Sequence, residues 1–290
     1  MLNFKGQCIR RRGPWAGLIV GVALIALALL AGSPDNAGTR ADAESDGEYV
    51  VVRHVLLAGD VISRPESESP GSVSAQYTVN KHRWAAASMP ISVAYNASGA
   101  PDEIDAAPLL EHAVGRWNDV SPGTFAFTWS GASTGDTGSC GTSVQRDGVN
   151  TVKFVDYLPF GTLGQTCTVW SVSAGASAPL VEFDMELSST VQWSTAETTP
   201  GNRYDLWSTV LHEVGHAAGL GHTNDGTAVM YASLKAGTQK RALTPDDREG
   251  LLAAYPGAGP TPSPSPSPVP TAVPSFARDF AIITANLARD

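Results

Sequence analysis

Residues 205–222 read DLWSTVLHEVGHAAGLGH, and this stretch decides the fold of the region around it. Asp205 is a residue type that caps helices, because its carboxylate can accept a hydrogen bond from the first backbone amides. Apolar side chains recur behind it at helical spacing, at Leu206, Val210, Val214 and Ala217. This pattern predicts an amphipathic helix of about four turns.

The C-terminal half of this helix carries a pattern typical of a metal site. His212 and His216 are four residues apart and therefore share one face of the helix, so their imidazole nitrogens can converge on one Zn²⁺ ion. Gly219 permits the left-handed conformation that ends a helix, and the turn can return His222 as a third ligand. Three neutral imidazoles leave the fourth position of the ion to water, which indicates a catalytic zinc. Glu213 is rotated by roughly 100° from His212 and is the candidate general base for that water.

The N-terminus has the pattern of a targeting segment. Basic residues, Lys5 and Arg10–Arg12, precede an uncharged apolar run at 15–31. We interpret residues 1–43 as a signal peptide or an N-terminal membrane anchor, and either one places the bulk of the protein outside the cytoplasm. The stretch 44–75 is then a candidate prosegment or N-terminal extension.

The net charge of the chain and the composition of its C-terminal end limit the classes of protein to which it can belong. The formal charge is -9 in 290 residues, and no cluster of basic residues follows the first dozen. Nucleic acid is therefore excluded as an expected partner. Residues 257–274 form a Pro/Ser-rich linker, and residues 275–290 are a short tail with an apolar stripe at helical spacing.

Cys140 and Cys167 remain as a pair once Cys8 is assigned to the targeting segment. A disulfide is the expected state of such a pair in an oxidising compartment, and the alternative is a thiolate ligand or a reactive thiol. The other histidines, His54, His82 and His112, have no partner at ligand spacing, and we interpret them as surface or loop residues.

The rest of the chain alternates strand and helix patterns. Apolar periodicity predicts a helix at 102–120 and a series of strands at 49–62, 73–79, 91–95, 124–129, 150–156, 166–172 and 179–187. This order indicates a mixed α/β architecture around a central sheet.

The motif HEVGHAAGLGH at 212–222 resembles the zinc motif of the metzincin metallopeptidases, and Met230 in Ala228–Tyr231 stands where that clan has its Met-turn. Within the clan the chain is most similar to the matrixins, in their compact bacterial form, over residues 76–256. The segments that carry this similarity are Trp84, Ile91–Tyr95, EHAVGRWNDVSPGTFAF at 111–127, VEFDMELSSTVQW at 181–193 and LTPDDREGLLAAYP at 243–256.

The resemblance implies a mixed α+β, zincin-like fold with a twisted, mostly parallel sheet, an active-site helix and a C-terminal helix. It implies that Met230 forms a hydrophobic floor under one catalytic zinc. It also implies that Asp246 or Asp247 ties the C-terminal helix to the Met-turn. The segment 231–244 would form a wall of the substrate pocket, although the family's Pro-x-Tyr pattern is missing from it.

Two departures from the family concern latency and metals. The Pro-Arg-Cys-Gly latency peptide is missing, and Leu57–Asp60 is only faintly similar to an aspartate switch. A His-x-Asp segment for a structural zinc is also missing, so a second zinc is not expected. Calcium is compatible with Asp156, Glu182 or Asp184, but no EF-hand spacing is present.

The resemblance implies a secreted or surface-tethered zinc endopeptidase, expected as a monomer, that acts on protein or peptide substrates. Its chemistry would be hydrolysis by a zinc-activated water with Glu213 as general base. The alternative hypothesis is a catalytically silent metzincin-like module that binds a surface partner. The Pro-rich linker motivates this alternative, and the intact Glu213 argues against it.

Overall fold

A computed structural model describes residues 42–45, 49–59, 77–141, 144–175 and 177–257. Residues 1–41 of the targeting segment, most of the 44–75 extension, including Asp60, and nearly all of the linker and tail lie outside the described residues. Within them, no helix is long and apolar enough to cross a bilayer.

The described residues form ten strands and three α-helices. The strands are β1 (Asp42–Ser45), β2 (Tyr49–Ala58), β3 (Ile91–Asn96), β4 (Phe127–Ala132), β5 (Thr151–Val155), β6 (Thr162–Ser171), β7 (Leu180–Ser188), β8 (Trp193–Ser194), β9 (Tyr204–Asp205) and β10 (Ser233–Leu234). The helices are α1 (Ala107–Asn118), α2 (Leu206–Ala217) and α3 (Pro245–Ala254).

Eight of these strands form one sheet in the order β1-β2-β6-β7-β5-β3-β4, with β10 paired to β2. The pairs β3–β4, β3–β5 and β5–β7 are parallel, whereas β6 runs antiparallel to β7 and to β2. The predicted class, a mixed α+β fold with a mostly parallel sheet, an active-site helix and a C-terminal helix, is confirmed.

Helix α2 lies in the interior, and all twelve of its residues are buried. Its predicted cap is confirmed, since the Asp205 side chain accepts a hydrogen bond from the Ser208 amide. The predicted length of about four turns is too long, because twelve residues make just over three turns. The helix ends at Ala217, and Gly219 then adopts a φ of 94°.

Two buried aromatic side chains fix the turn that follows α2. The Trp84 indole donates to the Ala217 carbonyl at 2.8 Å, and the Tyr255 hydroxyl donates to the Ala218 carbonyl at 2.8 Å. These carbonyls belong to the last turn, where no helical amide is left to bind them. The end of α2 is therefore fixed by residues 37 to 133 positions away.

Two predicted boundaries need correction. Helix α1 begins at Ala107, not near Asp102, and Pro108 lies in its first turn, where a proline is tolerated because no helical hydrogen bond is lost. Of the predicted strand at 73–79, the described residues 77–79 form one isolated bridge, from Val79 to Leu220.

Cys140 and Cys167 form a disulfide, with their Cα atoms 5.4 Å apart. The bond joins the loop between β4 and β5 to strand β6. Both cysteines belong to a small apolar cluster with Val51 and Val169, separate from the main core. The disulfide therefore joins residues of the small cluster and none of the main core.

Candidate metal centre

Three histidines converge at the end of α2. The Nε2 atom of His222 lies 3.2 Å from that of His212 and 3.1 Å from that of His216. In the part of the chain that the structure describes, these three side chains are the cluster whose ligand atoms could hold one metal ion. His212 and His216 are placed by their spacing on α2, and His222 is placed by the turn at Gly219.

The ring orientation of two of these histidines is set by backbone carbonyls. His212 Nδ1 donates to the Val229 carbonyl at 2.7 Å, and His216 Nδ1 donates to the Leu220 carbonyl at 2.8 Å. With the proton on Nδ1, each Nε2 keeps a lone pair that points into the cluster.

Burial also keeps the three rings neutral. It lowers the pKa of His212 to about 3 and that of His222 to about 2, and it lowers the pKa of His216 well below its usual value. A buried imidazolium would lose its hydration, and the neighbouring histidines add repulsion to that cost. Neutral imidazole is the form that binds a metal ion.

Glu213 lies fully buried beside the cluster. Its Oε2 atom accepts a hydrogen bond of 2.7 Å from the Thr166 hydroxyl on β6. Its Oε1 atom is buried and has no hydrogen-bond partner among the described residues. Burial raises the pKa of Glu213 to about 8, against the opposing effect of the Thr166 hydrogen bond. A buried carboxyl oxygen without a partner is what a site for a reacting water requires.

An ion pair that no sequence pattern indicated, between buried Asp205 and half-buried Arg241, anchors the start of α2. Arg241 binds both carboxylate oxygens of Asp205, and its Nε atom lies 2.9 Å from Oδ2. Ser208 and Thr199 also donate to this carboxylate, at 2.6 and 3.0 Å. The cap of α2 therefore receives a charge-assisted pair in addition to its amide bond.

Met230 lies in a buried turn packed against α2. A Cβ atom built on Gly215 would lie 2.3 Å from the Met230 sulfur, which shows how closely the turn approaches the helix. Asp247 holds this turn, since its carboxylate accepts the amides of Val229 and Met230 at 3.0 and 2.9 Å. Of the two aspartates considered from the sequence, Asp247 is thus the one bound to the turn, and Asp246 is its neighbour on α3.

The donor set fits a zinc ion. Zinc–imidazole bonds of about 2.0–2.1 Å in a tetrahedral arrangement separate the nitrogens by about 3.3 Å, close to the spacing of the three Nε2 atoms. The rings are neutral, those of His212 and His216 are buried and oriented by their Nδ1 atoms, and Glu213 supplies a carboxyl oxygen that lacks a partner. These features together suit a zinc with an open position.

The interpretation of His54 as a surface residue is wrong. His54 lies on β2, is 7% exposed, and its ring stacks on that of His216 with centroids 4.5 Å apart. Its Nε2 atom lies 3.1 Å from the Asn80 side-chain nitrogen. Val55 and Leu57 on the other face of β2 are also apolar, so no alternation in the sequence marked His54 as buried.

The calcium candidates lie elsewhere, and their arrangement gives calcium no support. Both oxygens of Asp184 accept hydrogen bonds, from the Ser139 amide and hydroxyl and from the Thr151 amide. Glu182 accepts the Gly148 amide at 2.7 Å, and Asp156 is exposed. Asp184 and Glu182 thus hold the loop between β4 and β5 onto β7.

Comparison with known proteins agrees with the geometry. A sequence model of the matrixin family matches residues 155–256. The chain is 31% identical over 165 residues to Metalloendoproteinase 1-MMP of Arabidopsis thaliana, covering 54% of this chain and 39% of that protein. It is 31% identical over 153 residues to Metalloendoproteinase 2-MMP of the same plant, covering 52% and 37%.

A human protein is also similar. Matrix metalloproteinase-20 of Homo sapiens is 26% identical over 202 residues, which cover 68% of this chain and 37% of that protein. The chain therefore spans less than two fifths of the length of these relatives.

Proposed function

Because the chain is a matrixin-like metzincin, we propose that it is a zinc-dependent endopeptidase. The observation that supports this proposal most directly is the convergence of three histidines, in which Nε2 of His222 lies within 3.2 Å of Nε2 of His212 and of His216, together with the unpartnered Oε1 atom of the neighbouring Glu213. A metal site that only stabilises the fold would need a fourth protein ligand.

In this mechanism the three histidines would hold one zinc ion, which would supply Lewis acidity for the scissile carbonyl and for a water molecule. Glu213 takes the proton of the attacking water and passes it to the nitrogen of the leaving amine. The Thr166 hydroxyl holds the other oxygen of the carboxyl group at 2.7 Å, which leaves Oε1 available for the proton. The chain contributes no covalent nucleophile to this scheme.

The test separates metal binding from turnover. Glu213→Ala should retain one zinc per chain. It should hydrolyse a peptide about 10²- to 10⁴-fold more slowly than wild type, which is the usual contribution of a general base. His222→Ala should lose both zinc and activity. Glu249→Ala, an exposed carboxylate on α3, is the matched control and should change neither. A Glu213→Ala protein that cleaves casein as fast as wild type would refute the mechanism.

We also propose where this enzyme is located and which residues form its catalytic domain. Residues 76–256 form the metallopeptidase domain, and residues 1–43 direct it out of the cytoplasm, either as a removed signal or as an anchor through 15–31. Protein or peptide chains are the substrates, and the enzyme acts as a monomer. N-terminal sequencing of the exported protein decides between removal and anchoring, and a chain found in the cytoplasm would contradict the proposal.

A further inference from the structure

An open groove lies where the chain leaves helix α3. It has a volume of about 600 Å³, and ten of the described residues line it, none of them charged. The buried residues Phe125 and Tyr255 are among them, together with Met89 and Pro90 nearer the surface. This volume lies in the range of pockets that bury apolar ligands. The groove therefore suits an apolar occupant.

The chain itself runs along this groove before it enters the linker. Ala254, the last residue of α3, lines the groove, and so does Pro256. The Thr124 hydroxyl donates to the Tyr255 carbonyl at 3.2 Å, and a Cβ atom built on Gly257 would lie 2.6 Å from the Thr124 side chain. The segment that follows Gly257 therefore starts at the groove.

Only one part of that following segment has large apolar side chains. Residues 258–274 consist of Pro, Ser, Thr, Ala, Gly and Val alone, and the first aromatic residue after Tyr255 is Phe276. The tail at 275–290, which lies outside the described residues, has an apolar stripe that consists of Phe276, Phe280, Ile283 and Leu287. On a helix these four positions fall within about 60° of one another, and Arg278 and Arg289 fall on the other side.

The linker is long enough to return the tail to the groove. Its seventeen residues at 258–274 span up to about 50 Å at 3.1 Å per residue, and the groove lies at their start. Gly257 and Gly259 precede the prolines and let the chain turn back. The cost of closing such a loop grows only with the logarithm of its length. The tail is therefore present at the groove at an effective concentration of about 1 mM, which a second molecule does not reach in dilute solution.

We propose that residues 275–290 fold back as a helix and dock their apolar stripe into the groove of their own domain. The rings of Phe276 and Phe280 fill the groove beside Phe125 and Tyr255, where edge-to-face or offset contacts between rings are available. The arginines of the tail stay in water. This contact needs neither zinc nor hydrolysis, so it is independent of the proposed peptidase function.

Tyr255 connects the groove to the end of α2. Its ring lies 4.6 Å from that of Phe125, measured between centroids. Its hydroxyl accepts the Trp84 amide at 3.2 Å and donates to the Ala218 carbonyl at 2.8 Å. The docked tail covers this tyrosine and thereby stabilises the turn after α2. Since the tail binds only the folded domain, docking also raises the stability of the whole fold.

The first experiment measures how far the tail is protected from trypsin in the full chain, with a chelator present. Cleavage of the Arg278–Asp279 bond is followed by mass spectrometry and compared with its cleavage in a free peptide of residues 270–290. The full chain should be cut there about 10- to 100-fold more slowly. Trypsin acts on the undocked fraction, and a site with a Kd of about 10–100 µM is mostly filled at a millimolar effective concentration. Equal rates would overturn the inference.

Matched variants locate the contact, each compared with a free peptide of its own sequence. Phe280→Asp, on the stripe, should abolish the protection, and Ile282→Asp, on the other side of the tail helix, should not. Ala86→Glu, in the groove, should also abolish it, whereas Ser88→Glu, exposed but outside the groove, should not. Protection that survives Ala86→Glu would place the tail elsewhere. Protection that disappears on dilution would assign the groove to the tail of a second copy, and either result would overturn the inference.

The second experiment is thermal unfolding of the same variants in chelator. Phe280→Asp should lower Tm by about 3–10 °C, the shift expected for loss of a contact filled 10- to 100-fold over its Kd, and Ile282→Asp should leave Tm unchanged. Phe280 lies outside residues 76–256, so this shift does not come from damage to the core. Equal Tm values of the two variants would overturn the inference, whether or not the protein proves to be a peptidase.

Discussion

The contact between Met230 and α2 predicts opposite effects for the same substitution in two helices. Gly115 lies on the exposed side of α1, and a Cβ built there meets nothing within 4 Å. Gly215 lies inside α2, and a Cβ built there would lie 2.3 Å from the Met230 sulfur and 2.7 Å from the Trp117 ring. Gly115→Ala and Gly215→Ala therefore form a matched pair.

The magnitudes follow from these distances. In a helix interior, alanine is about 1 kcal/mol more favourable than glycine, so Gly115→Ala should stabilise the protein by about that amount. At Gly215 the sulfur would have to move by more than about 1 Å to reach ordinary contact distance. Trp117 cannot yield easily, since it is fully buried and its indole donates to the Leu211 carbonyl at 2.9 Å. Gly215→Ala should therefore lower the free energy of unfolding by about 1–3 kcal/mol, the usual cost of overpacking a core.

The assay is thermal unfolding of the full chain, with zinc at a fixed saturating concentration and again in chelator. Gly115→Ala should raise Tm by about 2–4 °C, and Gly215→Ala should lower it by about 3–10 °C. Gly215→Ala should also weaken zinc binding, because the Val229 carbonyl that orients His212 precedes Met230 in the displaced turn. If Gly215→Ala stabilises the protein as Gly115→Ala does, the packing of the Met-turn against α2 is not as described.

Three further predictions concern stability. Asp247→Ala removes the acceptor of the Val229, Met230 and Thr244 amides and should lower the free energy of unfolding, measured in urea, by about 2–5 kcal/mol. The control Glu249→Ala, at an exposed position, should change it by less than about 0.5 kcal/mol. Equal effects of the two substitutions would contradict the role of Asp247. Replacing Cys140 and Cys167 together by Ser should lower the free energy of unfolding by about 3–4 kcal/mol, the value expected for a disulfide between cysteines 27 residues apart. The zinc stoichiometry should stay unchanged. Loss of zinc would show that the disulfide supports the metal centre. In chelator, acidification from about pH 6.5 should destabilise the fold, since His212 and His222 have folded pKa values of about 3 and about 2 and bind protons only on unfolding. Each should contribute about 1.4 kcal/mol per pH unit, against the opposite contribution of Glu213, whose pKa is raised to about 8. If the change of the urea midpoint between pH 6.5 and 5 is the same in His222→Ala as in wild type, the contribution of His222 is contradicted.

The parts that the sequence predicted well depend on contacts within one helix and its turn. The spacing of His212 and His216 is enough to place both rings on one face, and Asp205 caps the helix three residues before Ser208. The glycine at 219 was expected to turn the chain, and it has a φ of 94°. In these cases the geometry of a single element determines the result.

The sequence could not determine which of Asp246 and Asp247 binds the Met-turn. Both are acidic residues in the first turn of α3, and neither composition nor spacing separates them. The rotation of α3 against the Met-turn decides, because it points the carboxylate of Asp247 at the amides of Val229 and Met230.

By itself, the sequence determined the metal-ligand motif and the helix that carries it, because both are encoded in the spacing of neighbouring residues, whereas the class of the fold followed from the resemblance of the motif and its flanking segments to the matrixins. Only the tertiary structure decided that Thr166 holds Glu213, that Arg241 anchors Asp205, and that β2 with His54 lies against the histidines. These contacts join residues 36 to 162 positions apart, and a local pattern carries no information on which strand lies beside which. The pairing of β2 with β6 arises from the packing of the whole sheet.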